Sequence, residues 1–190
     1  SGTAMYDGTE KTVTGLVTDT FTVNGNRFTV EGLTAEAKGT DAGDYKAEVT
    51  GTAIVRDAAG NDVTKQFTVS TQDGKLTIEK RNVTLTSATA SKQYDGAPLT
   101  NHTVTVGGDG WADGEGADYE VTGSQTTVGS SENTFTYKLK ENTKADNYTI
   151  TTQNGTLTVA NRDAKYEITV KAIRMTLRWD GATTCRKSIS

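Results

Sequence analysis

Phe67-Thr68-Val69-Ser70-Thr71-Gln72-Asp73-Gly74-Lys75-Leu76-Thr77-Ile78 returns as Tyr148-Thr149-Ile150-Thr151-Thr152-Gln153-Asn154-Gly155-Thr156-Leu157-Thr158-Val159. Both copies alternate apolar and polar residues on either side of a Gln-Asp-Gly or Gln-Asn-Gly triplet. That pattern predicts two strands of period two joined at a turn. Tyr6-Asp7-Gly8 also returns as Tyr94-Asp95-Gly96, and Gly39-Thr40-Asp41-Ala42-Gly43 as Gln125-Thr126-Thr127-Val128-Gly129. Tyr6 to Tyr94 is 88 residues, Gly39 to Gln125 is 86 and Phe67 to Tyr148 is 81. Landmarks that keep their order at nearly constant offsets mark a repeated folding unit, which a chain uses for length or multivalency.

The rest of the chain reads the same way. Residues 21–23 and 26–30 are two short strands about Asn24-Gly25, a pair that tolerates the positive φ angles of a hairpin turn. Residues 45–55 form a long alternating strand, and Asp57-Ala58-Ala59-Gly60-Asn61 a turn. Residues 67–71 and 75–79 are expected to form a hairpin. In the second copy the candidate strands are 82–88, 103–106, 119–122, 134–140, 148–152 and 156–160. Threonine makes up about a fifth of the chain, far above ordinary usage, and β-branched residues suit half-buried pleated surfaces. No stretch carries sustained helical periodicity. The fold class expected is therefore all-β, two tandem Ig-like β-sandwich modules, with β-grasp-like modules as the alternative topology. Asp41-Ala42-Gly43-Asp44-Tyr45 has the spacing of a tyrosine corner, in which a Tyr at a strand start bonds back to nearby backbone; an ordinary Asp/Gly turn before a Tyr-bearing strand is the plainer alternative.

The boundaries follow. Module one spans residues 1–80 and lacks the initial strand that residues 82–88 supply to module two, which spans 81–160. Residues 161–190 read as the start of a third module or a disordered tail: Asn161-Arg162 echoes Lys80-Arg81, residues 165–171 form another initial strand, and Trp179-Asp180-Gly181 echoes Tyr6-Asp7-Gly8. The mismatch between a missing first strand and a surplus last one suggests head-to-tail strand donation between molecules. Residues 182–190 are expected to be weakly ordered.

Residues 92–100, Lys-Gln-Tyr-Asp-Gly-Ala-Pro-Leu-Thr, resemble the Tyr-Asp-Gly repeats, related to MBG modules, of Gram-positive surface adhesins, most closely those of gut Firmicutes. Residues 123–134 and 145–150 resemble them too, and 57–61 is similar to a turn of bacterial Ig-like domains. The resemblance covers about residues 1–172. It implies a non-catalytic repeat region on the bacterial cell wall, extracellular, acting as a stalk or adhesin module beside neighbouring repeat modules. It transfers no enzymatic site.

Chemistry is sparse. With 20 Lys and Arg against 24 Asp and Glu, net −4, the chain lacks the basic face that nucleic acid or an anionic membrane requires. No apolar run is long enough to span a bilayer. One His, His102, and one Cys, Cys185, leave no His-based metal site and no triad, so an enzyme is not expected. The loop Gly107-Gly108-Asp109-Gly110-Trp111-Ala112-Asp113-Gly114-Glu115-Gly116-Ala117-Asp118 is the most suggestive stretch. Its candidate ligand-contact residues are Asp109, Trp111, Asp113 and Glu115. The carboxylates could gather around Ca²⁺, although the spacing does not match an EF-hand and a solvated turn is the plainer reading; no other cofactor is implied. Trp111 is either a lid over the core or an exposed aromatic for a host glycoprotein such as mucin, or for an immunoglobulin. Direct host-ligand binding is thus the rival function. Tyr-Asp-Gly is read as a turn whose ring is buried while its hydroxyl stays wet. Lys92, Lys138 and Asn161 are candidates for a stalk-type cross-link without a visible pairing.

Overall fold

The computed structural model describes residues 1–163, 165 and 167–171. The protein is all-β, with several sheets, in keeping with the β-sandwich class. In the N-terminal half β1 (Gly2–Met5), β2 (Lys11–Thr14), β3 (Thr20–Val23), β4 (Asn26–Gly39), β5 (Gly43–Asp57) and β6 (Gly74–Glu79) form one sheet in the order β1-β6-β5-β4-β2, with β3 paired to β4. In the C-terminal half β7 (Arg81–Ser87), β8 (Ala90–Gln93), β9 (Val104–Gly108), β10 (Ala117–Val121), β11 (Gly129–Asn133), β12 (Phe135–Leu139), β13 (Tyr148–Gln153) and β14 (Gly155–Ala160) form three sheets. Their orders are β13-β7-β9, β11-β14-β8 and β10-β12. The described residues hold two short 3-10 turns and no α-helix, so a sheet wrapped around a helix, the β-grasp alternative, is not this architecture.

Several strand pairs at matching sequence positions keep the same direction and register. β1 runs parallel to β6 with Gly2 opposite Leu76, and β8 runs parallel to β14 with Ala90 opposite Leu157. Gly43 lies opposite Ile78 and Gly129 opposite Val159, both antiparallel. Tyr6 N–H donates to the Glu79 carbonyl and Tyr94 N–H to the Ala160 carbonyl, each at 2.9 Å. Burial follows the pattern, for Leu76, Ile78, Leu157 and Val159 are all buried.

Local chemistry explains several elements. Asn24 (φ 48°) and Gly25 (φ 80°) supply the two left-handed residues of the β3–β4 turn. Asp57 holds its turn by accepting from the Ala59 and Asn61 backbone N–H groups at 3.0 and 2.9 Å. The Tyr45 hydroxyl donates to the Asp41 carbonyl at 2.8 Å, which is the tyrosine-corner geometry. Gly39 lies beneath that ring, where a Cβ would stand 2.3 Å from it.

One expectation is corrected. Residues 67–71 and 75–79 form no hairpin: 75–79 lies within β6, between β1 and β5, while 67–72 is not a strand at all. In the second copy both segments are strands, yet β13 pairs with β7 and β14 with β11 and β8, so the chain crosses between sheets at Asn154. Alternation reports which faces a strand shows but not which neighbour it pairs with. The third-module echo at 179–181 and the weak order expected of 182–190 lie outside the described residues.

Candidate functional site: the joint around the acidic loop

One hydrophobic cluster runs through both halves. Tyr6, Ala37, Ala47, Leu76 and Ile78 come from the first, Val83, Leu85, Ala112 and Tyr148 from the second. Trp111 packs against this cluster, half-buried. Its ring meets Tyr148 edge-on at 4.9 Å, and Tyr6 meets Tyr148 edge-on at 5.6 Å. Edge-to-face contacts of this kind match ring edge to ring face and add specificity to burial. The Trp111 Nε1–H donates to the Tyr119 hydroxyl at 3.1 Å.

Glu115 stands at the centre of the joint. Its Oε1 accepts from the Tyr6 hydroxyl and its Oε2 from the Tyr148 hydroxyl, the latter at 2.8 Å. The Tyr148 oxygen in turn accepts from Ala112 N–H at 3.0 Å. Burial, and then the Glu115 carboxylate, hold both phenols protonated: Tyr6 is raised well above the usual tyrosine range, and Tyr148 is pushed up to about 12. The Tyr6 hydroxyl is therefore not wet, as the turn reading had it; it bonds across the joint to a residue 109 positions away.

Two further contacts close the joint. The Arg81 guanidinium donates to the Tyr6 carbonyl at 3.2 Å, to the Gly110 carbonyl at 3.0 Å and to the Asp109 carbonyl. On the other side Asn147, fully buried, accepts from Ala42 N–H at 2.7 Å and donates to the Asp41 carboxylate at 2.9 Å. Lys144 pairs with the same carboxylate at 2.7 Å. Lys144 and Asn147 hold the Asp41 carboxyl below the usual carboxylate range.

The four candidate residues thus have different surroundings. Asp109 accepts from the Asn82 backbone N–H at 2.9 Å, fixing the loop to the start of β7. Trp111 and Glu115 sit in the joint, and Asp113 is exposed. Among the described residues no three His, Cys, Asp or Glu side chains gather closely enough to hold a metal ion. His102 is exposed, its Nδ1 3.2 Å from the Val121 carbonyl. Lys92 is engaged by Asp95 and the Ala97 carbonyl, both at 2.7 Å. The sequence assigns no site role to Arg81, Lys144, Asn147 or Tyr148 and gives Asp41 only a place in the Tyr45 corner; the echo of Arg81 in Arg162 and the Asp-Asn-Tyr run at 146–148 were the available signals.

Compared with known proteins, the chain matches no family model, and no curated protein or solved structure gives a significant match. No helix among the described residues is long and apolar enough to cross a membrane.

Proposed function

We propose that the chain is a non-catalytic repeat region of a bacterial surface protein: two tandem Ig-like modules acting as a stalk or adhesin segment on the cell wall. The observation that carries this reading is Glu115, whose two oxygens take one tyrosine from each half. A carboxylate that takes one phenol on each oxygen, both phenols held protonated, serves as a strut between the two tyrosines. The junction residue Arg81 bonds carbonyls of both halves, and the link contains no Gly or Pro to bend. Stiff units joined without play transmit force and hold a distal site away from the wall. The Tyr-Asp-Gly resemblance supports the setting, and the half-buried Trp111 supports stalk over direct host-ligand binding.

Small-angle scattering of the 190-residue chain tests it. At concentrations where the chain is monomeric, a single particle of fixed maximum dimension is expected, with Glu115→Ala broadening the distribution. A wild-type ensemble of many inter-half angles would overturn the stalk reading. So would saturable binding of the immobilised chain to mucin glycans or immunoglobulin that survives in Glu115→Ala and is lost in Asp113→Ala, since Asp113 lies outside the joint.

A further inference from the structure

We propose that Asn24 is a self-modifying residue: the Gly25 backbone nitrogen attacks its side-chain amide, expels ammonia and leaves aspartate or isoaspartate at the tip of the β3–β4 hairpin. The inference stands on hydrogen bonding and burial at the two Asn-Gly pairs of the chain and does not rest on the stalk reading.

Asn-Gly occurs at Asn24-Gly25 and at Asn154-Gly155. The dipeptide suits this chemistry because glycine puts no Cβ beside the attacking nitrogen. The fold must still meet its demands. The glycine N–H has to give its proton to water, the asparagine side chain has to turn over that nitrogen, and the backbone needs room to close an imide ring.

Asn24-Gly25 meets all of these. Both residues are exposed, between Val23 and Asn26, which face each other at the end of the β3–β4 ladder. Among the described residues neither the Asn24 side chain nor the Gly25 N–H has a hydrogen-bond partner. Nothing stands within 4 Å of where a Cβ on Gly25 would lie. Asn154-Gly155 meets none of them. Gly155 is buried, and its N–H donates to the Ser87 hydroxyl at 2.9 Å. The Asn154 Nδ2 donates to the Glu132 carboxylate at 3.0 Å. A Cβ on Gly155 would stand 2.4 Å from the Ser87 and Ala88 carbonyl oxygens, so the backbone has nowhere to shift. A buried, bonded N–H meets solvent only when the strands around it open.

The reaction needs water alone. Deprotonated Gly25 N forms a bond to Asn24 Cγ, the Cγ–Nδ2 bond breaks, and the nitrogen leaves as ammonia after taking up a proton. Water then opens the imide. Cleavage at Cγ gives aspartate in a normal main chain; cleavage at the backbone carbonyl gives isoaspartate, with the main chain running through Cβ and Cγ. Nothing is oxidised or reduced, and the net charge of −4 becomes more negative by one. Isoaspartate also adds a methylene to a two-residue turn closed by residues at φ 48° and 80°, so the β3–β4 pair loosens from its tip.

Timed incubation of the folded 190-residue chain at mildly alkaline pH tests this. Trypsin, cutting after Lys11, Arg27, Lys144 and Arg162, places the two pairs in separate peptides, 12–27 and 145–162. Mass spectrometry reads the replacement of NH₂ by OH in each. Peptide 12–27 should convert more than about tenfold faster than 145–162, since only the latter waits on opening of the fold. In denaturant the two rates should become comparable. Hydroxylamine added to the folded chain should trap the imide and release fragments 1–24 and 25–190, leaving the 154–155 bond whole. Hydrogen exchange over 21–28 should quicken in aged wild type and stay constant in Asn24→Asp, which carries the charge without the longer main chain. Equal rates in the folded chain, a difference that persists in denaturant, or an Asn24 unchanged while the denatured chain converts would each overturn the proposal.

Discussion

Residues 67–72 and 148–153 carry almost the same sequence, yet the second is a strand and the first is not. The difference lies in their neighbours. Residues 148–153 have β7 beside them, with six residue pairs in register from Tyr148–Arg81 to Gln153–Thr86. Residues 67–72 face an open groove. β-propensity is a statement about fitting against neighbours, and without the neighbour the same Thr-Val alternation leaves its backbone unpaired.

The sharpest way to break this comparison is to supply the neighbour. Placing residues 81–88 ahead of Ser1 should turn 67–72 into a strand, since Ser1 aligns with Thr89. Burying one Val and one Leu contributes about 1.5–3 kcal/mol each, so the N-terminal half should gain several kcal/mol. Hydrogen exchange should show new amide protection at 69–71; an unprotected segment would mean that the partner strand is not what separates the two copies.

The reverse experiment removes packing from the filled half. Leu85→Ala deletes a fully buried side chain of β7 and should cost about 2–5 kcal/mol in denaturant unfolding. Val69→Ala, in the unfilled half, should cost no more than about 0.5 kcal/mol. Equal losses would show that the N-terminal groove is already packed in solution.

The joint gives a smaller effect. Glu115→Gln leaves one tyrosine hydroxyl facing an amide N–H₂ and removes the charge, for a loss of about 1–3 kcal/mol. Calorimetry should then resolve separate transitions for the two halves. The pH dependence has a definite sign. Tyr148 titrates at about 12 when folded, above the ordinary value near 10. Its contribution is fully present below pH 10 and is lost as pH rises from there through about 12, because the unfolded chain gives up its proton first. Wild type should lose stability over that interval more steeply than Tyr148→Phe. A parallel loss in both proteins would remove Tyr148 from the account.

Smallest is Tyr45→Phe. It removes the bond to the Asp41 carbonyl and should cost about 1 kcal/mol in the N-terminal half. The C-terminal half has Ser131 at the aligned position, so it offers no equivalent corner to weaken.

What was legible in the sequence was local. Asn24-Gly25, the Asp57 turn, the Asp41–Tyr45 corner and the long strand at 45–55 each depend on residues a few positions apart. The strands β8 and β11 escaped notice because Ala-Ser-Lys-Gln and Gly-Ser-Ser-Glu-Asn carry no hydrophobic alternation. The loop at 107–118 was singled out for its carboxylates, but the work of Glu115 was not readable there, since the donor Tyr6 is 109 residues away.

The sequence by itself determined the all-β class, because alternation and turn residues are properties of neighbouring positions, and it displays the likeness between its two halves directly. Only the tertiary structure decided which strands pair, that 67–72 stays unpaired, and that Glu115 ties Tyr6 to Tyr148. Those outcomes depend on the meeting of segments tens of residues apart, and a period-two pattern is silent about its partner.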